Sequence, residues 1–288
     1  MLNSAFTDEI FQYLARSHTI KTDDFYRALH HELIPMLIAL LPKLDHIIYK
    51  RNSVFEMTKH TAFEALEVTE LPYLRTLEID DDIFSILERA PHLAQADFLS
   101  SPFSSFSERL IDSFGGQSKI RTLRLLNITA SPELSRSLSY AAKDLRSLVI
   151  EASTKRLRRF LRLSWPNFSV DTIEAVRNYR HSLQILHLDL RDVDERRSSY
   201  RPDSTFQDFD KLEHVLLNTR LIFNISRHRK VEDRYAITQL LPPSIVSLHL
   251  VWDCPNIDRL EQGLRGLAVT ATGGFQNLKF AGLTRRRG

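Results

Sequence analysis

Two short segments carry residue types that enzymes use. At residues 30–35 the sequence HHELIP begins like a zinc-protease helix, in which two histidines and a glutamate hold the metal and activate water. Pro35 occupies the second histidine position and also breaks a helix. Residues 115–119, GGQSK, hold glycines and a lysine without the spacing of a phosphate-binding loop. We therefore expect no enzymatic activity, no metal and no cofactor. An enzyme with a site in the irregular N-terminal region is the least favoured alternative.

A basic segment at residues 155–162, KRLRRFLR, could contact an anionic partner. Such a cluster suits nucleic acid, a membrane surface or an acidic protein. Its apolar residues also have the spacing of a helix that packs on a core and leaves its cations in solvent. We favour this second interpretation and keep an anionic surface as the alternative site, formed by Lys155, Arg156, Arg158, Arg159 and Arg162.

Composition and charge narrow the class of protein. The 288 residues carry a formal net charge of +3, from 39 Lys and Arg against 36 Asp and Glu, which does not favour a dedicated nucleic-acid binder. Cys254 is the single cysteine, so an internal disulfide is excluded and a reducing compartment is favoured. The first residues lack a secretory pattern, and the apolar run at 33–42 is too short to span a bilayer. We expect a soluble protein of the cytoplasm or nucleus, with no membrane contact.

A short apolar pattern, Leu-x-x-Leu-x-Leu with other apolar residues allowed, recurs along the chain. It is neither the 3.6-residue period of a helix nor strict alternation. A polar residue precedes it in nearly every case. Strands with such spacing, each followed by a helical segment, are typical of stacked repeats that bury their leucines together. We predict one curved parallel sheet with its nine strands at 44–49, 74–79, 93–98, 120–125, 145–150, 183–188, 212–217, 245–250 and 278–283.

Helical patterns fill several of the gaps between these strands. They lie at 81–90, 131–143, 169–180 and 231–241, and Asp81, Ser131 and Ser169 stand where helix N-caps belong. The fold class is therefore α/β, an irregular leucine-rich-repeat solenoid with helices on its convex side. Residues 41–288 form its nine irregular units. Residues 1–40 form an N-terminal helical cap whose Leu37, Ile38 and Leu41 should pack on the first strand.

Five stretches of the repeat region share their order and spacing with a known family. They are ALLPKLDHI (39–47), RHSLQILHLDLRD (180–192), FQDFDKLEHVLL (206–217), LLPPSIVSLHL (240–250) and GFQNLKFAGL (274–283). On these stretches the chain resembles the substrate-receptor part of fungal F-box/leucine-rich-repeat proteins, over about residues 40–288, while the helical F-box module is not readable in the sequence. The resemblance implies a non-enzymatic scaffold that recognises a protein target and is present as one copy, a monomer, in a complex. It also implies binding to ubiquitin-ligase core subunits if an F-box exists.

The solenoid geometry predicts where such a partner binds. Strand side chains alternate between faces, so the residues between the leucines should line the concave face. The polar members of these rows are mixed in charge, which fits a protein ligand. A metal site at His187, His214 and His249 is a minor alternative. The candidate partner-binding residues are Glu78, Asp80, Asp97, Arg124, Glu151, His187, Asp189, His214 and His249.

Overall fold

A computed structural model places nine strands and several helices along the chain. It describes residues 37–41, 43–49, 63, 66–79, 84–99, 119–129, 138, 144–153, 168–191, 205–228, 231–253 and 256–285. The strands are β1 (His46–Tyr49), β2 (Thr76–Ile79), β3 (Gln95–Leu99), β4 (Thr122–Thr129), β5 (Ser147–Ser153), β6 (Ile185–Arg191), β7 (His214–Asn218), β8 (Ser247–Trp252) and β9 (Phe280–Arg285). The helices are α1 (Phe84–Arg89), α2 (Phe168–Arg177), α3 (Thr219–His228) and α4 (Ile257–Gly274), with a 3₁₀ helix at Asp233–Tyr235.

The nine strands form one open sheet in the order of the sequence. Every neighbouring pair is parallel, from β1–β2 to β8–β9. Each strand overlaps one of the nine predicted segments, which confirms the single parallel sheet and the α/β class, but each begins two residues later than predicted. Equivalent positions of neighbouring segments pair in the sheet: Asp97 pairs with Arg124, Arg124 with Val149, and Val149 with His187.

The same pair of backbone hydrogen bonds links each strand to the one before it. At the start of each strand from β2 to β9, the N–H groups of the strand's first residue and of the residue before it donate to one carbonyl oxygen of the unit before. The N–H groups of Arg75 and Thr76, for example, donate to the Asp45 oxygen at 2.8 and 3.0 Å. This pair of hydrogen bonds, here called the junction, occurs between all neighbouring strands. It gives the backbone N–H groups at the start of each parallel strand a hydrogen-bond acceptor. The accepting carbonyls belong to Asp45, Arg75, Ala94, Arg121, Arg146, Gln184, Glu213 and Val246.

The hydrophobic core lies on one face of the sheet. The leucine-type positions of β1 to β8 are at most 8% exposed. Leu148, Leu186 and Leu248 are 0–1% exposed, which confirms their predicted burial. Buried residues of α1 and α3, such as Leu87 and Phe223, belong to the same core cluster. A parallel sheet needs helices packed on its apolar face, because its strands are rich in apolar side chains that would otherwise be exposed to water.

The predicted helices agree only in part with the structure. The helix expected at 169–180 is α2, but it begins at Phe168, so Ser169 lies inside it and is not its cap. Asn167, another residue type preferred at helix starts, precedes Phe168 in the sequence. The segment expected at 81–90 contains α1, while Asp81 and most of 131–143, including Ser131, lie outside the described residues.

The helix expected at 231–241 was wrong. The chain there forms the 3₁₀ helix and a series of turns, with backbone bonds of both three- and four-residue spacing. The Leu240 N–H donates to Ile237, and the Gln239 N–H donates to Tyr235. Pro242 and Pro243 follow directly. Since a residue before proline avoids helical backbone, the segment closes in short turns instead.

The N-terminal cap falls mostly outside the described residues. Residues 1–36 lie there, and residues 37–40 are helical. Ile38 is 5% exposed and belongs to the core, as predicted. Leu37 and Leu41 are 57% and 51% exposed, so their predicted packing on β1 was wrong. Successive side chains of a helix point about 100° apart, and one turn can direct only a narrow stripe at the strand.

A bulge in β4 marks one irregular unit. The register between β4 and β5 shifts between Leu125 and Ile128. Asn127 lies inside this shift with a φ of 54°. Asn is among the few residue types that tolerate this left-handed backbone, so the sequence accommodates the extra residue without a glycine.

Candidate partner-binding surface

The face of the sheet opposite the core, here called the open face, carries the residues predicted to bind a partner. Its middle row crosses all nine strands in register, because each member pairs with the next in the strand ladder. Successive members therefore lie about 4.8 Å apart. Charged residues occupy the N-terminal half, and histidines with apolar residues the C-terminal half. The row reads Ile48, Glu78, Asp97, Arg124, Val149, His187, Leu216, His249 and Gly282.

The Arg124 side chain is hydrogen-bonded to the buried carboxylate of Asp97. Asp97 accepts hydrogen bonds from Arg124 Nη1 at 3.1 Å and from Gln95 Nε2 at 3.1 and 3.2 Å. The Asp97 side chain is 4% exposed, whereas that of Arg124 is 43% exposed. Asp97, which was predicted to contact the partner, is buried and holds the Arg124 side chain in place through this hydrogen bond. Arg124 is thus the charge that this cluster offers to a ligand.

The centre of the open face brings a histidine and a glutamate near each other, beside an exposed apolar side chain. His187 Nε2 lies 3.9 Å from Glu151 Oε1, and both side chains are half-buried. Ile185, at the start of the same strand, is 41% exposed on the same face. Glu78 is half-buried two strands before Arg124 and makes a polar contact of its own. These residues are brought together on one surface, as the rows predict.

Asp189 was expected on the partner-binding surface, but it is 3% exposed. Its Oδ1 accepts a hydrogen bond from Asn218 Nδ2 at 3.2 Å. The Oδ1 of Asn218 in turn accepts from the Leu190 N–H at 2.6 Å. This buried chain of hydrogen bonds ties β6 to β7, so Asp189 and Asn218 serve the fold. The predicted contact of Asp189 with a partner stays a prediction.

A second polar cluster, which the sequence did not predict, lies next to this one. Asp253 Oδ1 accepts from the Arg220 N–H at 2.9 Å and from the Thr219 hydroxyl at 3.1 Å. A carboxylate is thereby placed at the N-terminus of α3, where the helix dipole favours a negative charge. Burial raises the pKa of the Asp253 carboxyl above its usual 3.8, the two hydrogen bonds lower it, and the charge of Asp189 raises it. The signal available in the sequence was an acidic residue just beyond β8.

We expect Asp253→Asn to be more stable than the wild type at pH 7, with an advantage that shrinks on acidification. A carboxyl whose pKa is higher in the folded state than in the unfolded state binds protons more tightly when folded. Its ionised form therefore costs stability above the folded pKa, and this cost is absent below 3.8. The amide oxygen can still accept the bonds from Thr219 and Arg220. Urea unfolding of both proteins from pH 7 to pH 4 measures the difference, and an advantage that stays constant with pH contradicts the assignment.

The three histidines considered for a metal site do not converge. His187 and His249 lie on β6 and β8, with Leu216 of β7 between them, so two strand spacings of about 4.8 Å separate them. His214 lies at the start of β7, in the neighbouring row. Across the described residues, no three His, Cys, Asp or Glu side chains come together in a way that could hold a metal ion.

His249 has a different environment, at the C-terminal end of the open face. Its Nε2 lies 2.6 Å from the Thr284 hydroxyl oxygen, and its ring stacks on Phe280 with centroids 6.4 Å apart. A β-carbon at Gly282 would lie 2.7 Å from the Phe280 ring, so the glycine leaves space for this aromatic ring. Phe280 is 53% exposed and adds an apolar contact that the rows did not single out.

Some predicted residues fall outside the described residues. Asp80 follows the last described residue of β2. The alternative basic surface falls there in full: Lys155, Arg156, Arg158, Arg159 and Arg162.

Comparison with known proteins does not assign the chain to a family. No protein-family model matches the chain, and a search of curated proteins finds none with significant sequence similarity. Within the ranges that the structure describes, no helix combines the length and the apolar content needed to cross a bilayer.

Proposed function

We propose that this protein is a non-enzymatic, leucine-rich-repeat scaffold that binds a partner protein on the open face of its sheet. The observation that carries this proposal is the middle row of side chains, which runs in register across nine strands without contributing to the core. Such a row presents many short side chains to one extended ligand, as repeat proteins do. Curvature of the sheet, with the open face concave, is part of the proposal.

Two local features support the leucine-rich-repeat character. The junction of two N–H groups on one carbonyl repeats at every step of the sheet, as expected for a one-dimensional array of units. In the unit that begins at Ile245, Asp253 occupies the ninth position, where consensus repeats carry Asn or Cys. There it accepts a backbone N–H group from the unit before, at Arg220. The carboxylate thus links neighbouring units.

The chemistry of the open face favours a protein over a small or polymeric anion. Arg124 offers one oriented cation, while Ile48, Ile185 and Phe280 are between 41% and 59% exposed. Arginine and aromatic side chains are over-represented among the interface residues that contribute most of the binding energy. The resemblance to fungal F-box proteins extends the proposal to target recognition for a ubiquitin ligase, in the cytoplasm or nucleus.

A pair of arginine substitutions tests the open face. Arg124 lies on it, whereas Arg121, three residues earlier, is exposed at the edge where β4 begins. We expect Arg124→Gln to lose the specific prey in affinity capture from the native organism, and Arg121→Gln to keep it. The glutamine is preferable to a reversal of charge, because Arg124→Glu would set a second carboxylate against the buried Asp97. Mass spectrometry identifies the prey, and a circular dichroism melt verifies the fold.

Other results of this affinity capture would indicate an adaptor role or a different binding site. Ubiquitin-ligase core subunits among the prey would support the adaptor role. If the prey survives both Arg124→Gln and Ile185→Glu, the open face is not the site. Its loss on replacement of Arg156, Arg158 and Arg159 by glutamine would then assign binding to the basic segment.

A further inference from the structure

The last strand differs from all the others in the exposure of its core face. The leucine-type positions of β1 to β8 are at most 8% exposed, including Ile47 and Tyr49 on the first strand. On β9, Ala281 is exposed and Leu283 is 47% exposed. Val269 on the neighbouring helix α4 is 80% exposed. The first strand is thus covered on its core face, while the last strand presents apolar side chains to solvent.

None of the described residues pairs with the backbone along the outer edge of β9. Within the described residues, β9 pairs with β8 alone and ends the strand order. The Phe280 N–H donates to the Val246 carbonyl oxygen. Because the backbone N–H and C=O groups of successive residues point to opposite sides of a strand, those of residues 282 and 284 also point towards β8. The N–H and C=O groups of Ala281, Leu283 and Arg285 consequently point outward. No proline interrupts this row, so it can pair with another strand.

The charge at this edge has one sign. Lys279 precedes β9 and is exposed, and Arg285 ends it. After Glu261, lysine and arginine are the only charged residue types in the sequence. Both ends of the strand therefore attract negative charge, and the uncharged residues between them leave the backbone accessible. An extended segment with acidic residues flanking an apolar centre complements this edge.

A second copy of this chain complements it less well. Strands from two copies that pair antiparallel would bring the Lys279 end of one beside the Arg285 end of the other. Cations would then meet at both ends of the new pair, and like charges opposite each other destabilise strand pairing. The charge distribution thus favours an acidic partner over a homodimer.

We propose that the outer edge of β9 binds an extended, acidic segment of a partner protein, which adds to the sheet as a further strand. Main-chain hydrogen bonds to Ala281, Leu283 and Arg285 supply the register, and apolar side chains of the segment cover Leu283. Lys279 and Arg285 select acidic residues at its two ends. The middle row reaches β9 only at Gly282, whereas this site uses the outward main-chain groups of Ala281, Leu283 and Arg285, so either proposal can fail without the other.

The test uses a fluorescein-labelled probe peptide, Glu-Glu-Val-Thr-Val-Thr-Val-Glu-Glu, titrated against the full chain. We expect saturable binding, measured by fluorescence anisotropy. Replacing Lys279 and Arg285 by glutamate should weaken binding by about tenfold or more. The matched control replaces Arg180 and Lys211 by glutamate. These are exposed cations in the turns before β6 and β7, so the net charge changes equally and binding should weaken far less.

Two further reagents separate strand addition from simple attraction of charge. A peptide with proline in place of both its central valine and the threonine before it should not bind. Successive N–H groups of a strand point to opposite sides, so this peptide lacks a needed N–H group whichever way the strand runs. The Leu283→Pro variant removes an outward N–H group without touching a bond to β8, and it should lose binding while the sheet is retained by circular dichroism.

Equal binding by the proline peptide, or equal loss in both charge variants, overturns the proposal in favour of non-specific attraction. A dimer in sedimentation velocity that Leu283→Pro dissociates, together with no peptide binding, overturns it in favour of a second copy.

Discussion

Gly266→Ala should destabilise this protein by about 3 kcal/mol, although alanine is the better helix former. Helix α4 crosses the 3₁₀ helix at this residue, and a β-carbon there would overlap the Arg234 carbonyl oxygen and lie 2.7 Å from its carbon. Both obstacles belong to the backbone and cannot rotate away. The helix must shift, and that shift strains the bidentate pair of Arg259 with Asp233, whose N–O distances are 2.6 and 2.7 Å.

Gly273 in the same helix provides the matched control. Apart from the glycine itself, its chain neighbours and the backbone of its own helix, no atom lies within 4 Å of a β-carbon built on Gly273. Gly273→Ala should therefore gain about 0.5 kcal/mol from helix propensity alone. Urea unfolding followed by circular dichroism measures both variants. Equal effects at the two glycines would mean that the close approach at Gly266 is absent in solution.

Leu186→Ala should cost roughly 2–5 kcal/mol in the free energy of unfolding. Leu186 is 0% exposed and lies between Leu148 and Val215 in the sheet, so its removal leaves a cavity that rigid strands cannot close. The neighbouring His187→Ala should change stability by no more than about 0.5 kcal/mol, because this side chain lies on the open face. Denaturant titration compares the two. An unchanged midpoint for Leu186→Ala would show that the register of β6 is displaced by one residue.

The strands could be predicted because their signal is local and repeated. Each leucine-type residue faces the same core, so the spacing recurs wherever the chain crosses the sheet. Helices α3 and α4 were not predicted, although both have amphipathic patterns and Asn256 with Asp258 marks the start of α4. The β-branched and aromatic residues of α3 and the four glycines of α4 lower helix propensity. Gly263 and Gly266 are there because another part of the chain packs against them, a tertiary reason that the local sequence does not carry.

The candidate surface could be predicted in its positions but not in its accessibility. The alternation of side chains correctly assigned Asp97, Arg124, His187 and Asp189 to the face opposite the core. It could not indicate that Gln95 and Arg124 cover Asp97, or that Asn218 bonds Asp189, since those contacts depend on side-chain length across neighbouring strands. The Asp253 cluster was missed because its partners are more than thirty residues away in sequence.

The junction of two N–H groups on one carbonyl has a consequence for how this chain can evolve. The accepting residue is acidic at Asp45, basic at Arg75, an amide at Gln184 and apolar at Val246, yet the hydrogen bonds are the same. The backbone alone makes the connection, so natural selection can vary these side chains without weakening it. Lineages that carry this fold are therefore free to diverge rapidly in surface chemistry at the edge where the strands begin, and to gain or lose whole units while the remaining junctions persist.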